Sequence, residues 1–424
     1  MRDLAGVGIG PFNLSLAALS QHVAGLETEF YERSPEFRWH PGLMIEGTTV
    51  QVPFLADLVS LVDPTNPLSF LNYLKERGRL FPFYFAERFH LPRAEYDEYC
   101  RWASTQLPSC RFGQTVRSVE WSTVDGAFAL DVEPAGRVLA RNVVLGVGTA
   151  PVIPAPLRDI PGVVHSGDYL SARDRLLAAE DVTVVGSGQS GAEVFLDLLR
   201  RRAKGGVRWL ARTPAFAPME YSKLGLEQFT PDYTAFFHGL PESVRDRLEP
   251  AQWQLYKGIS AETIGEIFDE LYQRTVVGPW PPVLLAPGVE ITAAGQREGR
   301  IELRLRHTQE DSTATVRTDA VVCATGYAER DLDGLLAPMR DLIKRDGSGR
   351  LVVGADYRVE LAGEVAGSLF VQNAERHTHG VGAPDLGLAA WRSATIVNTV
   401  CGSAVDPLPD RTAFTTFGLK GGSW

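Results

Sequence analysis

Two glycine turns set the chemistry open to this chain. The first reads Gly6-Val7-Gly8-Ile9-Gly10-Pro11-Phe12-Asn13, and the second Gly186-Ser187-Gly188-Gln189-Ser190-Gly191. Each follows a short apolar run and precedes apolar residues at helical spacing, so each predicts a strand, a turn and a helix. Such a turn lets backbone N–H groups and the positive end of a helix approach a pyrophosphate that side chains would obstruct. In the first turn Pro11 stands where the third glycine of G-x-G-x-x-G belongs. Glu32, 24 residues beyond Gly8 and at the end of the predicted strand 28–31, is placed to accept hydrogen bonds from an adenosine ribose. A structural turn followed by a surface Glu is the alternative. The second turn meets the pattern in full, directly after Val182-Thr183-Val184-Val185, and the next strand, 207–210, ends in Ala211-Arg212 instead of an acid. A guanidinium there would pair with a ribose 2′-phosphate and select NADPH over NADH, the alternative being a solvated charge. Two dinucleotide sites on one chain imply electron passage from nicotinamide to a flavin such as FAD.

The elements that must position these turns predict an α/β chain with two Rossmann-like dinucleotide-binding domains and a small helical substrate-side region. Residues 1–165 are expected to form the first part of the FAD-binding domain, with a loop-rich, partly helical excursion over 42–108 and a β-meander over 116–147. Residues 166–214 with 281–315 make the expected NADPH-binding domain, inserted into the first. Residues 215–280 read as the helical region, and 316–424 as the second part of the FAD-binding domain.

Several separate motifs resemble one family over nearly the whole length, the bacterial lysine, ornithine and diamine N-hydroxylases of siderophore biosynthesis. They are GVGIGPFNLSLAAL at 6–19, FRWHPGLM at 37–44, VQVPFLADLVSLVDPTNPLSFLNYL at 50–74, VVGSGQSGAEVFLDLL at 184–199, CATGY at 323–327 and HTHGVGAPDLGLAAWRSATIVN at 377–398. Pro11 fits that family, whose first turn reads G-x-G-x-G-P-x-N. The resemblance implies that NADPH reduces FAD, that molecular oxygen adds to flavin C4a, and that the hydroperoxide hands its distal oxygen to an amine. A free alkylamine has a pKa of about 10.4, so its nitrogen must shed a proton first, which a dry pocket favours. Positioning residues are therefore expected instead of a catalytic triad. By their place in the motifs, Trp39, His40 and Gln51 line the flavin, with Gln51 closest to the reacting end; His40 equally suits a packed loop histidine. Thr325 and Gly326 match the family's ATG turn near the cofactor, and the 378–386 segment, with His379, Gly380 and Leu386, matches the loop that holds the ring system.

One departure bears on substrate. Where the amino-acid hydroxylases have F-L-K-D-L-V, with a lysine that pairs with the substrate carboxylate, this chain has Phe54-Leu55-Ala56-Asp57-Leu58-Val59. Burying a carboxylate against Ala56 without a partner would cost several kcal/mol. The family's asparagine in an N-Y-S-V-V-like segment is also missing, the comparable stretch being Leu255-Tyr256-Lys257-Gly258-Ile259, in which Lys257 could compensate. Gln51, Phe54, Ala56, Tyr256 and Lys257 are the expected substrate-side residues. A diamine, cadaverine or putrescine, is expected over L-lysine or L-ornithine. Asp57, Glu220 and Asp385 are open candidates for its distal ammonium, Asp57 being also a helix-start acid.

The bulk numbers agree with this frame. The chain has 424 residues, 44% apolar and 22% charged, with a formal charge of -10 and no long basic run. Neither nucleic acid nor a membrane is an expected partner, and a small cationic substrate is; the family resemblance implies a homo-oligomer of two or four copies. The first residues leave no room for a signal peptide, so a cytoplasmic location is expected. The four cysteines, Cys100, Cys110, Cys323 and Cys401, have neither CxxC nor zinc-site spacing. That disfavours a flavin disulfide reductase. His377 and His379 lack nearby carboxylate or thiolate partners, and no metal is expected. A ketone or sulfur monooxygenase is suggested only by the partial fingerprint at 162–166. A catalytically inactive NADPH- and FAD-binding protein is the alternative from another class.

Overall fold

The computed structural model describes residues 1–202, 205–276 and 278–419. Its first sheet is built on the strand Arg2–Val7, which lies parallel to Thr28–Glu32 on one side and to Gly136–Leu145 on the other. Cys110–Phe112 extends one edge, and the meander Ala127–Glu133 and Thr115–Ser122 the other; Leu369–Val371, near the chain's end, also pairs with Gly136–Leu145. The central strand reads as a buried apolar run because helices cover it, the first helix, Pro11–Ser20, being buried along its whole length.

The second sheet is wholly parallel, in the order Val163–His165, Ala320–Cys323, Asp181–Val185, Gly206–Leu210 and Val283–Ala286. Here the expected boundaries shift. The expected boundaries assign residues 316–424, with Ala320–Cys323, and residues 1–165, with Val163–His165, to the FAD-binding unit. Strand pairing puts both in the second sheet, since Cys323 is registered with Val185 and with His165. The units are joined by the two-stranded ladder of Thr149–Pro151 with Tyr327–Glu329.

The helical region divides. Ala261–Val276 packs on the helix Gln189–Arg201 of the second unit, burying Ile267 in its core. Pro231–His238 and Glu242–Ala251 instead pack on the short helix Arg376–His379 and the loop after it. Among the described residues no helix is long and apolar enough to cross a membrane.

Candidate active site

At the first turn, crowding explains the residue types. A side chain at Gly6 would enter the Phe30 ring, and one at Gly8, where φ is +87°, would lie 2.5 Å from the Gly146 carbonyl oxygen. Gly10 faces open space and caps the helix with no side-chain bond, and Pro11 at the first helical position removes a donor that would have no helical partner anyway. The N–H groups of Phe12 and Asn13 therefore point to the open side. Asn13 itself is a brace: its amide donates to the Val7 and Gly8 carbonyls, and its oxygen accepts from Gln372 Nε2 at 2.8 Å. Glu32 ends its strand with Oε2 accepting from Ile9 N (3.1 Å) and Oε1 from Ser34 N (2.8 Å), beside the turn it must serve. These residues fit an adenine dinucleotide.

The second turn is as tight. A Cβ at Gly186 would lie 2.1 Å from the Ala324 carbonyl oxygen, and one at Gly191 2.5 Å from the Gly186 oxygen. Gly188 caps the helix without a side-chain bond, and its open side approaches the Lys257 carbonyl. Ser187 and Ser190 are half-buried. The Gln189 side chain is engaged elsewhere, with Ser260 N, Thr263 Oγ1 and Glu193, so only its backbone faces the turn's mouth. Arg212 is exposed and has no ion-pair partner among the described residues.

Between the turns, Trp39, Phe54 and Leu386 pack against one apolar core, with Trp39 edge-on to the buried Tyr96 at 4.9 Å. Asp97, one residue on, accepts from Trp39 N at 2.6 Å and fixes the loop. Gln51 lies on Thr49–Pro53, which packs on the Leu386–Leu388 turn, and its Nε2 is buried without a partner. An orphaned donor in an apolar wall costs about 1–3 kcal/mol unless something accepts from it, as the polar edge of a flavin would. His40 has left-handed backbone (φ 48°) and touches Tyr327 at 5.6 Å between ring centres. Crowding by protein atoms, with the Arg93 cation second, holds its imidazole below the usual histidine range. Gly326 O accepts from Val152 N and from His165 Nε2, both at 3.0 Å, and the Thr325 hydroxyl donates to Val152 O, so this turn locks the inter-unit ladder. Gly380 has φ +74° and faces the Phe237 ring. The His379 ring is buried, stacked on Tyr357 at 4.5 Å and beside His238, with Nδ1 2.9 Å from the Thr378 hydroxyl and Nε2 buried without a partner.

The three candidate acids now separate. Asp57 accepts from Val59 N, Ser60 N, Ser60 Oγ and Phe70 N, all within 2.9 Å, and is a structural anchor for its loop. Glu220 is exposed and caps a turn through Ser222 N. Asp385 is the half-buried acid with an oxygen to spare: Oδ1 accepts from Gly387 N at 2.7 Å, and Oδ2 has no hydrogen bond among the described residues. Burial pushes its carboxyl up to about 6, and its charge reaches Tyr96 and Tyr221. Neither those tyrosines nor Gln372 was singled out by motif. Ala56 is buried and offers a methyl group. Tyr256 donates to Glu249 Oε1 (2.6 Å), and Lys257 lies over the Tyr256 ring within the field of Arg376 and Arg212, on the side of the second glycine turn.

Two dinucleotide cradles, one on the parallel strands of each sheet, define a flavin- and nicotinamide-dependent oxidoreductase. The comparisons narrow that class. Residues 1–329 match the family described as L-lysine 6-monooxygenase/L-ornithine 5-monooxygenase, and the chain belongs to it. It is 46% identical to the rhizobactin siderophore biosynthesis protein RhbE of Rhizobium meliloti, covering 98% of this chain and 95% of the relative. It is 41% identical to a putrescine N-hydroxylase of Shewanella oneidensis, covering 98% and 84%. The crystal structure of DfoA bound to FAD, the cadaverine monooxygenase of the desferrioxamine pathway of Erwinia amylovora, superposes with a TM-score of 0.95 at 37% identity, covering 100% and 99%. The protein is thus an N-hydroxylating monooxygenase of siderophore biosynthesis that uses FAD, NADPH and molecular oxygen.

Proposed function

We propose that the chain hydroxylates one primary amine of an aliphatic diamine, cadaverine or putrescine, for hydroxamate siderophore assembly. The observation that carries this is the open Asp385 oxygen beside the wall of Trp39, Phe54 and Leu386, with only the Ala56 methyl where a carboxylate would need a cation. A distal ammonium on Asp385 would leave the other nitrogen against an apolar wall that disfavours its charged form, preparing the lone pair for oxygen transfer. Bound FAD supplies the electrons and the activation of oxygen. Gln51 Nε2 orients whichever acceptor reaches it, and His40 packs edge-on to Tyr327 beside it. The Glu32 carboxylate serves the flavin's ribose. The names of the Shewanella and Erwinia relatives support a diamine over L-lysine or L-ornithine.

The test is hydroxylamine formed per NADPH consumed, with added FAD, for cadaverine, putrescine, lysine and ornithine under one condition. A diamine is expected to give coupled product and the amino acids mainly peroxide. A preference for lysine or ornithine would overturn the substrate assignment, and hydroxylamine from none of them would place the substrate outside these four amines.

Arg212 is assigned to the 2′-phosphate. With a charge-assisted contact worth about 1.5–3 kcal/mol, Arg212→Gln is expected to raise KM for NADPH roughly tenfold or more while leaving KM for NADH unchanged. Steady-state NADPH and NADH titrations decide it, and an equal change for both coenzymes would refute it.

A further inference from the structure

Arg392 and Glu375 are 1% and 0% exposed, with Nη1 of the one 3.1 Å from Oε1 of the other. Nothing in the proposed chemistry uses this ion pair. Withdrawing two charges from water is costly, and well-packed apolar side chains of similar volume would hold the same space at least as stably. The pair stands where distant stretches of chain meet. Arg392 lies on the helix Ala389–Cys401, which packs along Pro11–Ser20. Its guanidinium carbon lies over the Phe12 ring at 4.7 Å, at the start of that first helix, and over the Tyr357 ring at 5.4 Å. Nη2 donates to the Ala383 and Gly382 carbonyls at 2.7 and 3.3 Å. Gly382 O also accepts from Asp385 N at 3.1 Å, so one carbonyl joins the guanidinium to the residue assigned to the distal ammonium. Glu375 is fixed in turn, its Oε2 accepting from Ala374 N at 2.8 Å and its carbonyl from Thr378 N and His379 N.

We propose that Arg392 is a positioning residue for oxygen transfer: with Glu375 as its fixed counter-charge, it holds the loop 380–385 at one distance from the first glycine turn and so sets the amine against the flavin. This inference rests on the assignment of Asp385 to the distal ammonium. Arginine suits the task because its planar fork reaches the carboxylate and two carbonyls at once while the same plane lies against two rings; a lysine keeps the charge but has neither fork nor plane. A displacement of about 1 Å at a reacting centre can cost on the order of 100-fold in rate. An amine held out of reach leaves NADPH and oxygen to give NADP+ and hydrogen peroxide in place of hydroxylamine and water. The charge has a second effect. Burial raises the Asp385 carboxyl and the Arg392 cation opposes that rise, the other titratable groups in the field of this carboxyl being Tyr96 on Arg93–Thr105 and Tyr221 on the loop 213–225.

The experiment compares wild type, Arg392→Lys, Arg392→Met and Arg392→Met/Glu375→Met as FAD-loaded enzymes turning over cadaverine. Hydroxylamine per NADPH is expected to fall roughly tenfold or more in all three variants. Deuterium uptake at residues 380–388 should rise in each, with and without FAD, a readout independent of turnover. The double variant should regain the melting temperature that Arg392→Met loses and still be uncoupled. As pH falls, KM for cadaverine should begin to climb at a higher pH in both Met variants than in wild type, and at the wild-type pH in Arg392→Lys. Coupling that returns with the melting temperature in the double variant, an Arg392→Lys enzyme coupled as well as wild type, or unchanged uptake at 380–388 would overturn the proposal. Asp385→Asn, run alongside, separates the two readings: if it leaves KM for cadaverine unchanged, the ammonium assignment fails, while coupling and uptake in the Arg392 variants still decide the positioning role.

Discussion

Asp385→Asn is expected to cut kcat/KM for cadaverine and putrescine by about 100-fold or more, because removing one partner of a buried charge pair costs on the order of 2–5 kcal/mol. The loss should fall mainly on KM, since Asp385 is assigned to the ammonium remote from the reacting nitrogen. FAD content should not change, as the carboxylate's neighbours are Gly387 N, Tyr96, Tyr221 and the Arg392 cation. A pH signature accompanies it. Burial raises the carboxyl to about 6, against about 3.9 in an unfolded chain. The fold thus favours the protonated acid, and that contribution to stability is complete below about pH 4 and lost as pH rises through about 6. A diamine, still doubly charged near neutrality, binds the ionised form and restores what was lost. Its thermal upshift should therefore be larger at pH 7.5 than at pH 5, and KM should climb as pH falls below 6. In Asp385→Asn both trends should vanish. A variant that keeps kcat/KM within about threefold would show that the distal ammonium sits elsewhere.

How much of this was legible in sequence depends on whether a residue's role is local. The glycine turns were readable because their causes are short-range: Gly8 needs its positive φ, and Gly186 must clear the Ala324 carbonyl that the adjoining strand delivers. The alternation of the meander and the apolar central strand likewise carry their own pattern. Strand membership was not legible at Ala320–Cys323, since a parallel pairing 138 residues distant, Val182 with Ala320, leaves no local periodicity. The acids show the same limit. Asp57, Glu220 and Asp385 are equivalent as acids in a sequence and differ in donors and burial: four donors for Asp57, one for exposed Glu220, and one with an oxygen to spare for half-buried Asp385. The place of Lys257 in its segment suggests a carboxylate partner; only the structure sets it within the field of Arg212 and Arg376.

Breaking the Arg93–Glu193 pair is expected to slow flavin reduction by NADPH tenfold or more. Arg93 opens the helix Arg93–Thr105 in the first unit, and Glu193 lies on the helix that follows the second glycine turn. They meet in a bidentate pair at 2.6 and 2.7 Å with side chains 11% and 4% exposed, and Arg93 also donates to Leu43 O. Gln189, the first residue of the nicotinamide-side helix, donates to Glu193 at 2.9 Å. The neighbouring loop reinforces the joint: Leu43 and Ile45 sit in the second unit's core, and any side chain at Gly42 would collide with the Gly167 carbonyl. His40 and Trp39 precede that loop directly, so the pair fixes the nicotinamide unit relative to the flavin wall. Glu193→Gln leaves a buried guanidinium without its carboxylate and should cost about 3–5 kcal/mol of stability, whereas the double variant Arg93→Met/Glu193→Met should recover most of it. Reduction separates positioning from mere stability. Stopped-flow reduction by NADPH without oxygen should stay slow in the double variant although its melting temperature returns, while chemical reduction of its FAD by dithionite proceeds as in wild type. If the rate recovers with the melting temperature, the pair only stabilises the joint, and the register of the two cofactors is set by the loop at Gly42.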